Sequence, residues 1–402
     1  MTSPASAVAR VSRTRLWIIG LVPIVLLAAL LWGIVRSGPA ESLRGEGHPP
    51  VEQLTFQRVH LGPDGLTITV LNDGPDPVTI AQVLVDEAYW TFEASSGTRL
   101  SHLGRTTLRV PYPWVEGETH VVRLLSSTGV TFDHVIAVAV TTPTPDGRTL
   151  LMFTLIGVYV GVLPVAIGLL WFPLVRRMGP RGLDVVLALT IGLLVFLLAD
   201  ASHEGLESAL AIPSSYQGVA LFFFGAAGAY LGLEGLGRWL ERTRGRTAGA
   251  DRNWVLALLV AVGIGLHNFS EGLAIGAAFV LGEAALGTLL IVGFTLHNTT
   301  EGLAIVAPLA RSRPRLRVLV TLGLIGGVPT IAGAWIGGFV YSPVISVLFL
   351  AVGAGAIAQV VAQISRQMAG DQSVSRYLAT APVLAGLFAG FVVMYATGML
   401  VG

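Results

Sequence analysis

Nine apolar runs, each long enough to cross a bilayer as a helix, constrain this chain more tightly than any other feature. They lie at 16–35, 150–172, 183–201, 219–240, 254–281, 284–310, 318–340, 344–364 and 378–400. About 20 apolar residues span the hydrocarbon layer as an α-helix. Inside lipid every backbone N–H and C=O needs an internal partner, so runs of this length are read as helices. With 53% hydrophobic and 12% charged residues and a mean hydropathy of +0.72, the chain groups with integral membrane proteins rather than soluble globular ones. The expected fold class is an α-helical polytopic membrane protein with one isolated N-terminal span and eight clustered ones. A net charge of +1 provides no field to attract nucleic acid. The lack of cysteine removes disulfides and thiolate metal sites.

Charge placement sets the orientation, because short cytoplasmic loops are enriched in positive residues. All basic side chains are arginines. Arg10, Arg13 and Arg15 precede the first run and put the N-terminus inside. Arg176, Arg177 and Arg181 follow the second run, and Arg238, Arg242, Arg244, Arg246 and Arg252 separate the fourth from the fifth. Arg311, Arg313, Arg315 and Arg317 follow the sixth, and Arg366 and Arg376 flank the loop after the eighth. The intervening loops, such as Gly282-Glu283 and Tyr341-Ser342-Pro343, carry none. Alternate loops are thus basic, which leaves the C-terminus outside a plasma or inner cell membrane. The first run reads as an uncleaved anchor by its apolar length. A cleaved secretory signal is the alternative, with Pro39-Ala40-Glu41 a weak cleavage candidate.

After the anchor the pattern changes. Leu66-Thr67-Ile68-Thr69-Val70, Val78-Thr79-Ile80-Ala81-Gln82-Val83, Thr107-Leu108-Arg109-Val110 and His134-Val135-Ile136-Ala137-Val138 predict strands, punctuated by Asn72-Asp73-Gly74-Pro75 and Pro145-Asp146-Gly147. About seven strands in about a hundred residues suggest a small all-β sandwich, immunoglobulin-like, outside the cytoplasm. The expected division is 1–37 for tail and anchor, 38–147 for the β domain and 148–402 for the eight-helix core. His48, His60, His102, His120 and His134 are dispersed over the β domain, a pattern of surface or core residues, and metal delivery by this domain is the lesser reading.

Two matching phrases carry the chemistry: His267-Asn268-Phe269-Ser270-Glu271-Gly272 and His297-Asn298-Thr299-Thr300-Glu301-Gly302. A histidine and a glutamate four apart share a helix face, so each phrase offers an imidazole, a carboxylate and a nearby amide. From Trp254 to Ala310 there is no Lys or Arg. An ionised carboxylate at mid-bilayer costs roughly 2.5–3.5 kcal/mol on insertion scales, so two of them need compensation. A bound divalent transition metal would supply it and would explain why imidazole accompanies each carboxylate. The plainer alternative is an interhelical hydrogen-bond clamp with protonated glutamates; duplication in register without a counter-charge favours the cation site. The two phrases sit mid-span on antiparallel neighbours, at the depth where transporter sites occur. Gly263, Gly265, Gly272 and Gly276 on one helix and Gly293 and Gly302 on the other are expected to let the two approach closely.

These paired phrases resemble the signatures on the fourth and fifth helices of the ZIP family of divalent metal transporters, whose usual form is His-Asn-x-Pro-Glu-Gly. The clustered spans, the basic loop between the third and fourth of them and the outside C-terminus resemble that family too, over approximately 149–402. The resemblance implies a metal site from His267, Glu271, His297 and Glu301, with Asn268 and Asn298 at positions that serve an adjacent second site in some members. It also implies inverted repeats, a homodimer, and alternating exposure by sliding of a transport bundle against a scaffold. The sequence departs from the family pattern at three places. Ser270 and Thr300 replace the motif proline, Val328 rather than an acid precedes Pro329, and the neutral Gln359 and Gln363 stand on the seventh core helix, where an acid is frequent. The second departure argues for one ion rather than two. Gln359 and Gln363 are candidates for an inner exit path, or pair across helices.

Asp200-Ala201-Ser202-His203-Glu204 falls near the outer end of the second core helix. Asp200, His203 and Glu204 are candidates for a cation entrance, since acidic mouths concentrate cations, or else form an ordinary solvated helix end. The expected function is movement of a divalent transition metal ion (zinc, iron, manganese, cobalt or cadmium) into the cytoplasm, with the ion as substrate and no resident cofactor. Glu271 and Glu301 neutralise its charge, while His267 and His297 select against magnesium and calcium. An intramembrane metal-dependent hydrolase is the alternative, though no oxyanion stabiliser or lipid-recognition motif accompanies it. A non-transporting metal sensor is a third reading.

Overall fold

The computed structural model describes residues 21–22, 24–30, 32–33, 50–142, 144, 146–243, 250–281, 284–340 and 342–399. The described residues of the first apolar run are helical. The flanking Arg10, Arg13 and Arg15, the candidate cleavage segment at 39–41 and His48 lie outside the described residues.

Residues Leu54 to Ile136 form a β-sandwich whose strands alternate inward aliphatic and outward polar positions, as a two-layer stack requires. The first sheet has the order β1 (Leu54–Gly62), β2 (Gly65–Asn72), β7 (Arg105–Val110), β5 (Glu93–Ala94). The second has the order β4 (Ala88–Trp90), β3 (Val78–Val85), β8 (His120–Ser126), β9 (Thr131–Ile136), and β6 (Arg99–Leu100) also pairs with β3. This is the immunoglobulin order, A-B-E-D against C′-C-F-G. Val59, Leu61, Ile68, Val70, Val83, Leu108, Val122 and Leu124 fill the space between the sheets. They take the place of a disulfide in a chain without cysteine. The strand expected over 134–138 ends at Ile136, and the short β4, β5 and β6 raise the strand number above the seven expected.

The β3–β4 turn shows how local strain is offset. Asp86 and Glu87 both have positive φ, 51° and 65°, the conformation that a two-residue hairpin turn demands and that glycine or asparagine usually supplies. The Asp86 carboxylate ties the turn down. Its Oδ1 accepts from the Val121 N–H at 2.8 Å, and its Oδ2 accepts from the Tyr112 hydroxyl at 2.6 Å and meets His120 Nδ1 at 2.7 Å. Burial opposes the charged form of Asp86, but these three bonds together hold its carboxyl below its ordinary value. Burial, and the bond to Asp86, push the Tyr112 hydroxyl up to about 12.

Asp146 caps the first bundle helix, its Oδ1 accepting from the Thr149 N–H at 2.7 Å. The helices are α1 (Gly147–Val175), α2 (Pro180–Ala211), α3 (Gly218–Thr243), α4 (Ala250–Val280), α5 (Ala284–Val306), α6 (Leu316–Phe339), α7 (Pro343–Ala369) and α8 (Ala381–Met399). Among the described residues, α1 to α7 are long and apolar enough to cross a membrane, and α8 adds a shorter apolar stretch, Ala381–Ala396. The chain is therefore a polytopic α-helical membrane protein with an added β-sandwich.

Two helices are irregular at prolines. Pro164 has no N–H, so the carbonyl of Val160 lacks its usual donor four residues on. There α1 widens into a π-helical turn, Val158–Val162. In α6, Pro329 follows a break after Gly327. Glycines let the backbones meet at these places, but not where the sequence predicts. Gly265, Gly272 and Gly276 of α4 face the backbone of α6, Gly263 faces Val360 of α7, and Gly302 of α5 faces Val165 and Gly168 of α1. At about 100° per residue, Gly265, Gly272 and Gly276 form a stripe on the side of α4 opposite His267 and Glu271, so they cannot mediate the α4–α5 contact.

Candidate metal centre

The repeated phrases meet through their side chains in the interior of the bundle. His267 and Glu271 lie one turn apart on α4, and His267 Nε2 stands 3.2 Å from Glu271 Oε1. His297 of α5 reaches across to the same oxygen, Nε2 to Oε1 at 2.5 Å. Asn298 donates through Nδ2 to the other oxygen, Glu271 Oε2, at 2.9 Å. Glu301, one turn beyond His297, has both carboxylate oxygens buried and unpartnered among the described residues. His267, His297 and Glu301 each offer a ligand atom, and these atoms all lie within 4.8 Å of one another. Glu271, Glu301, Asn268 and Asn298 are no more than 3% exposed. One carboxylate is thus fully bonded, and the other faces two imidazoles with nothing in its grip.

Both asparagines anchor the site to the irregular helices. Asn298 Nδ2 donates to Val160 O, in the π-helical turn of α1, at 3.0 Å. Asn268 Nδ2 donates to Gly326 O, just before the break in α6, at 3.1 Å. Each asparagine keeps a buried Oδ1 without a partner among the described residues. The substituted motif prolines also act alike: Ser270 Oγ donates to His267 O and Thr300 Oγ1 to His297 O, both at 2.6 Å. A hydroxyl bonded back three residues thus loads His267 O or His297 O, one position past the carbonyl (Leu266 or Leu296) that a proline would leave without its donor.

Two small cavities flank the centre, each of about 10 Å³, room for about one water-sized body. His267 and Glu271 share the first with Asp200 and Glu204 of α2. His297 and Glu301 share the second with Leu193, Leu194 and Leu197 of α2 and Met394 of α8. One flank is acidic and the other apolar.

The structure therefore divides the α2 cluster. The apolar run ends near Asp200, but the helix continues to Ala211, so the cluster is inside the helix rather than at its end. Asp200 and Glu204, four apart, turn to the cavity beside His267. His203 lies off that face, exposed, 3.5 Å from Glu207. Gln359 and Gln363 bond to each other within α7, Nε2 to Oε1 at 2.6 Å, rather than across helices; across helices Gln359 reaches Glu234 of α3 at 3.4 Å. They stand apart from the His/Glu centre.

Sequence reasoning missed Val160, Gly326 and Glu234. The first two act through backbone carbonyls; Pro164, four residues on, signals Val160, whereas Pro329 takes the donor from Ile325 and marks only the break beside Gly326. Glu234 offered a signal as a lone carboxylate inside an apolar run. The histidines of the sandwich hold separate partners: His102 Nδ1 meets Gly74 O at 2.8 Å, His120 meets Asp86, and the His134 ring stacks on Phe56 at 5.1 Å.

A membrane-spanning bundle with a buried two-histidine, two-carboxylate cluster defines a class, the polytopic membrane proteins with potential cation ligands in their core. Comparison with known families narrows this class. Residues 238–398, from the end of α3 through α8, match the family described as ZIP zinc transporter. Divalent metal transport is the activity this family implies. The sandwich, α1, α2 and most of α3 lie outside the matched residues. No curated protein matches the chain.

Proposed function

We propose that the protein carries a divalent transition metal ion into the cytoplasm through a site made by His267, Glu271, His297 and Glu301. The observation that supports this most is the pair of unpartnered Glu301 oxygens, buried beside His267 and His297. Leaving a buried polar group unsatisfied costs about 1–3 kcal/mol, more for a charged one, so such an arrangement is retained for a ligand. A tetrahedral ion about 2 Å from each ligand brings the ligand atoms to roughly 3.3 Å apart. Side-chain rotation would close the present set on it. Two imidazole nitrogens and carboxylate oxygens suit zinc, iron, manganese, cobalt or cadmium better than magnesium or calcium.

Glu271 is the switchable member. Without cargo it is held by His267, His297 and Asn298; with cargo, those imidazoles turn to the ion and Glu271 balances its charge. The free Oδ1 atoms of Asn268 and Asn298 offer further oxygens. Asp200 and Glu204 form the approach, and Gln359 and Gln363 the way out. The sandwich at 38–147 and the C-terminus face outward, residues 1–37 form the inner tail and anchor, residues 148–402 form the transport core, and two copies assemble as a dimer.

Uptake of radioactive zinc into proteoliposomes tests this, comparing wild type with Glu271→Ala and Glu301→Ala. Wild type is expected to accumulate zinc and both variants to fall to the level of empty vesicles. Binding without flux in wild type would refute transport, and normal flux in both variants would refute the site.

A further inference from the structure

Glu234 of α3 sits in a second polar cluster, separate from the His/Glu centre. Its carboxylate accepts from Arg366 of α7 through Nη1 at 3.0 Å and Nη2 at 2.7 Å, and from Arg238 Nη2 at 3.1 Å. Gln359 Nε2 approaches it at 3.4 Å. Gln359 is 0% exposed, and its Oε1 has no partner among the described residues. Beside this cluster lies a cavity of about 520 Å³, lined by Glu234, Arg238, Gln363, Arg366 and Gln367 among others. It is large enough for a hydrated cation.

The cluster and the metal centre share α7. Gly353 of that helix packs against Ser270 Oγ and the His267 ring. At 1.5 Å per residue, Gln359, Gln363 and Arg366 follow Gly353 by about 9, 15 and 20 Å. Spacings of four and three keep these three side chains on one face. Gln359 also lies about 120° round the helix from Gly353, so this polar face begins apart from the centre and runs to the arginine-bearing end of the bundle. An arginine on the path of a divalent cation opposes it unless an anion cancels its charge.

Resting on the transport reading above, we infer that Glu234 is the charge-balancing residue of the exit. As the ion passes, Glu234 exchanges Arg366 for the cargo, and the oxygens of Gln359 and Gln363 complete a transient resting place for a divalent transition metal cation. Arg366 then returns to Glu234, so that the carboxylate does not trap the ion. The pair is a counter-ion exchange rather than a static tie between α3 and α7.

The test uses the full chain in proteoliposomes with zinc as the probe, and compares Glu234→Gln, Arg366→Gln and the double variant. Zinc binding to each purified protein is measured alongside, to verify that the central site is intact. Glu234→Gln leaves Arg366 unbalanced on the path and is expected to lower the maximal rate about tenfold or more, with zinc binding unchanged. Arg366→Gln leaves Glu234 with Arg238 alone as its cationic partner and is expected to slow release, seen as zinc retained after one turnover. In the double variant both charges are gone, and the rate should recover to within about threefold of wild type. A double variant no faster than Glu234→Gln would mark a structural tie and overturn the proposal, as would an unchanged rate in Glu234→Gln. If wild type neither binds nor moves zinc, the transport reading falls and takes this one with it. If wild type does both and the double variant stays slow, this proposal alone falls.

Discussion

The sandwich and the bundle both bury histidines, and they treat them in opposite ways. In the sandwich His120 is 2% exposed, yet its Nδ1 has the Asp86 carboxylate at 2.7 Å and its Nε2 the Val115 N–H at 3.4 Å. In the bundle His267 is 4% exposed, and its Nδ1 has no partner among the described residues. Native interiors satisfy nearly all their buried polar groups, so an exception asks for an explanation. The satisfied histidine holds a turn in place. The unsatisfied one lies close to an equally unsatisfied carboxylate, Glu301, and on that pair the proposed ion site rests.

The comparison breaks first at Glu301. Replacing it by glutamine removes a ligand but no internal bond, so zinc flux is expected to fall roughly 100-fold or more while the metal-free melting temperature does not drop. A lower melting temperature would mean that Glu301 holds the fold instead. Glu271→Ala strips bonding partners from His297 and Asn298, and is expected to cost roughly 3 kcal/mol of stability as well as abolish flux. A smaller loss, about 1–2 kcal/mol, is expected for His120→Ala, confined to the sandwich and without effect on flux; thermal unfolding followed by sandwich tryptophan fluorescence would detect it.

Acid sharpens the contrast least. The folded pKa of Asp86 lies below its unfolded value, so its contribution is full above the ordinary carboxylate range and is lost as pH falls through the folded value. Asp86→Asn should therefore weaken the sandwich at neutral pH and flatten its loss of stability below about pH 4. An identical acid melting profile in wild type and variant would show that the turn does not depend on this charge.

Much of the bundle was legible because lipid allows few solutions: apolar length marked the helices and arginines alternated with the loops. His267, Glu271, His297 and Glu301 could be read because helical spacing puts each pair on one face and repetition implies convergence. What escaped was long-range. Asn298 finds the Val160 carbonyl 138 positions away, and only the missing N–H of Pro164 hints that this carbonyl needs a donor. The glycines of α4 signal close packing, but their partner, α6, follows from the direction of the stripe rather than from its presence. His203 was grouped with Asp200 and Glu204 by proximity in the chain; it precedes Glu204 by one position, which turns it about 100° from that residue, and it lies exposed beside Glu207. In the sandwich the long strands were legible from alternation. Strands of two or three residues, such as β5 and β6, have too few positions to alternate.

X-ray absorption at the zinc edge, on protein loaded with one equivalent of zinc, tests the central claim most directly. The expected spectrum has two imidazole nitrogens and carboxylate oxygen at about 2.0–2.2 Å, with no sulfur, at about one ion per chain; Glu301→Ala should lose the bound ion. A zinc shell without imidazole, or full loading of the Glu301→Ala variant, would contradict the assignment of this buried cluster as the metal site.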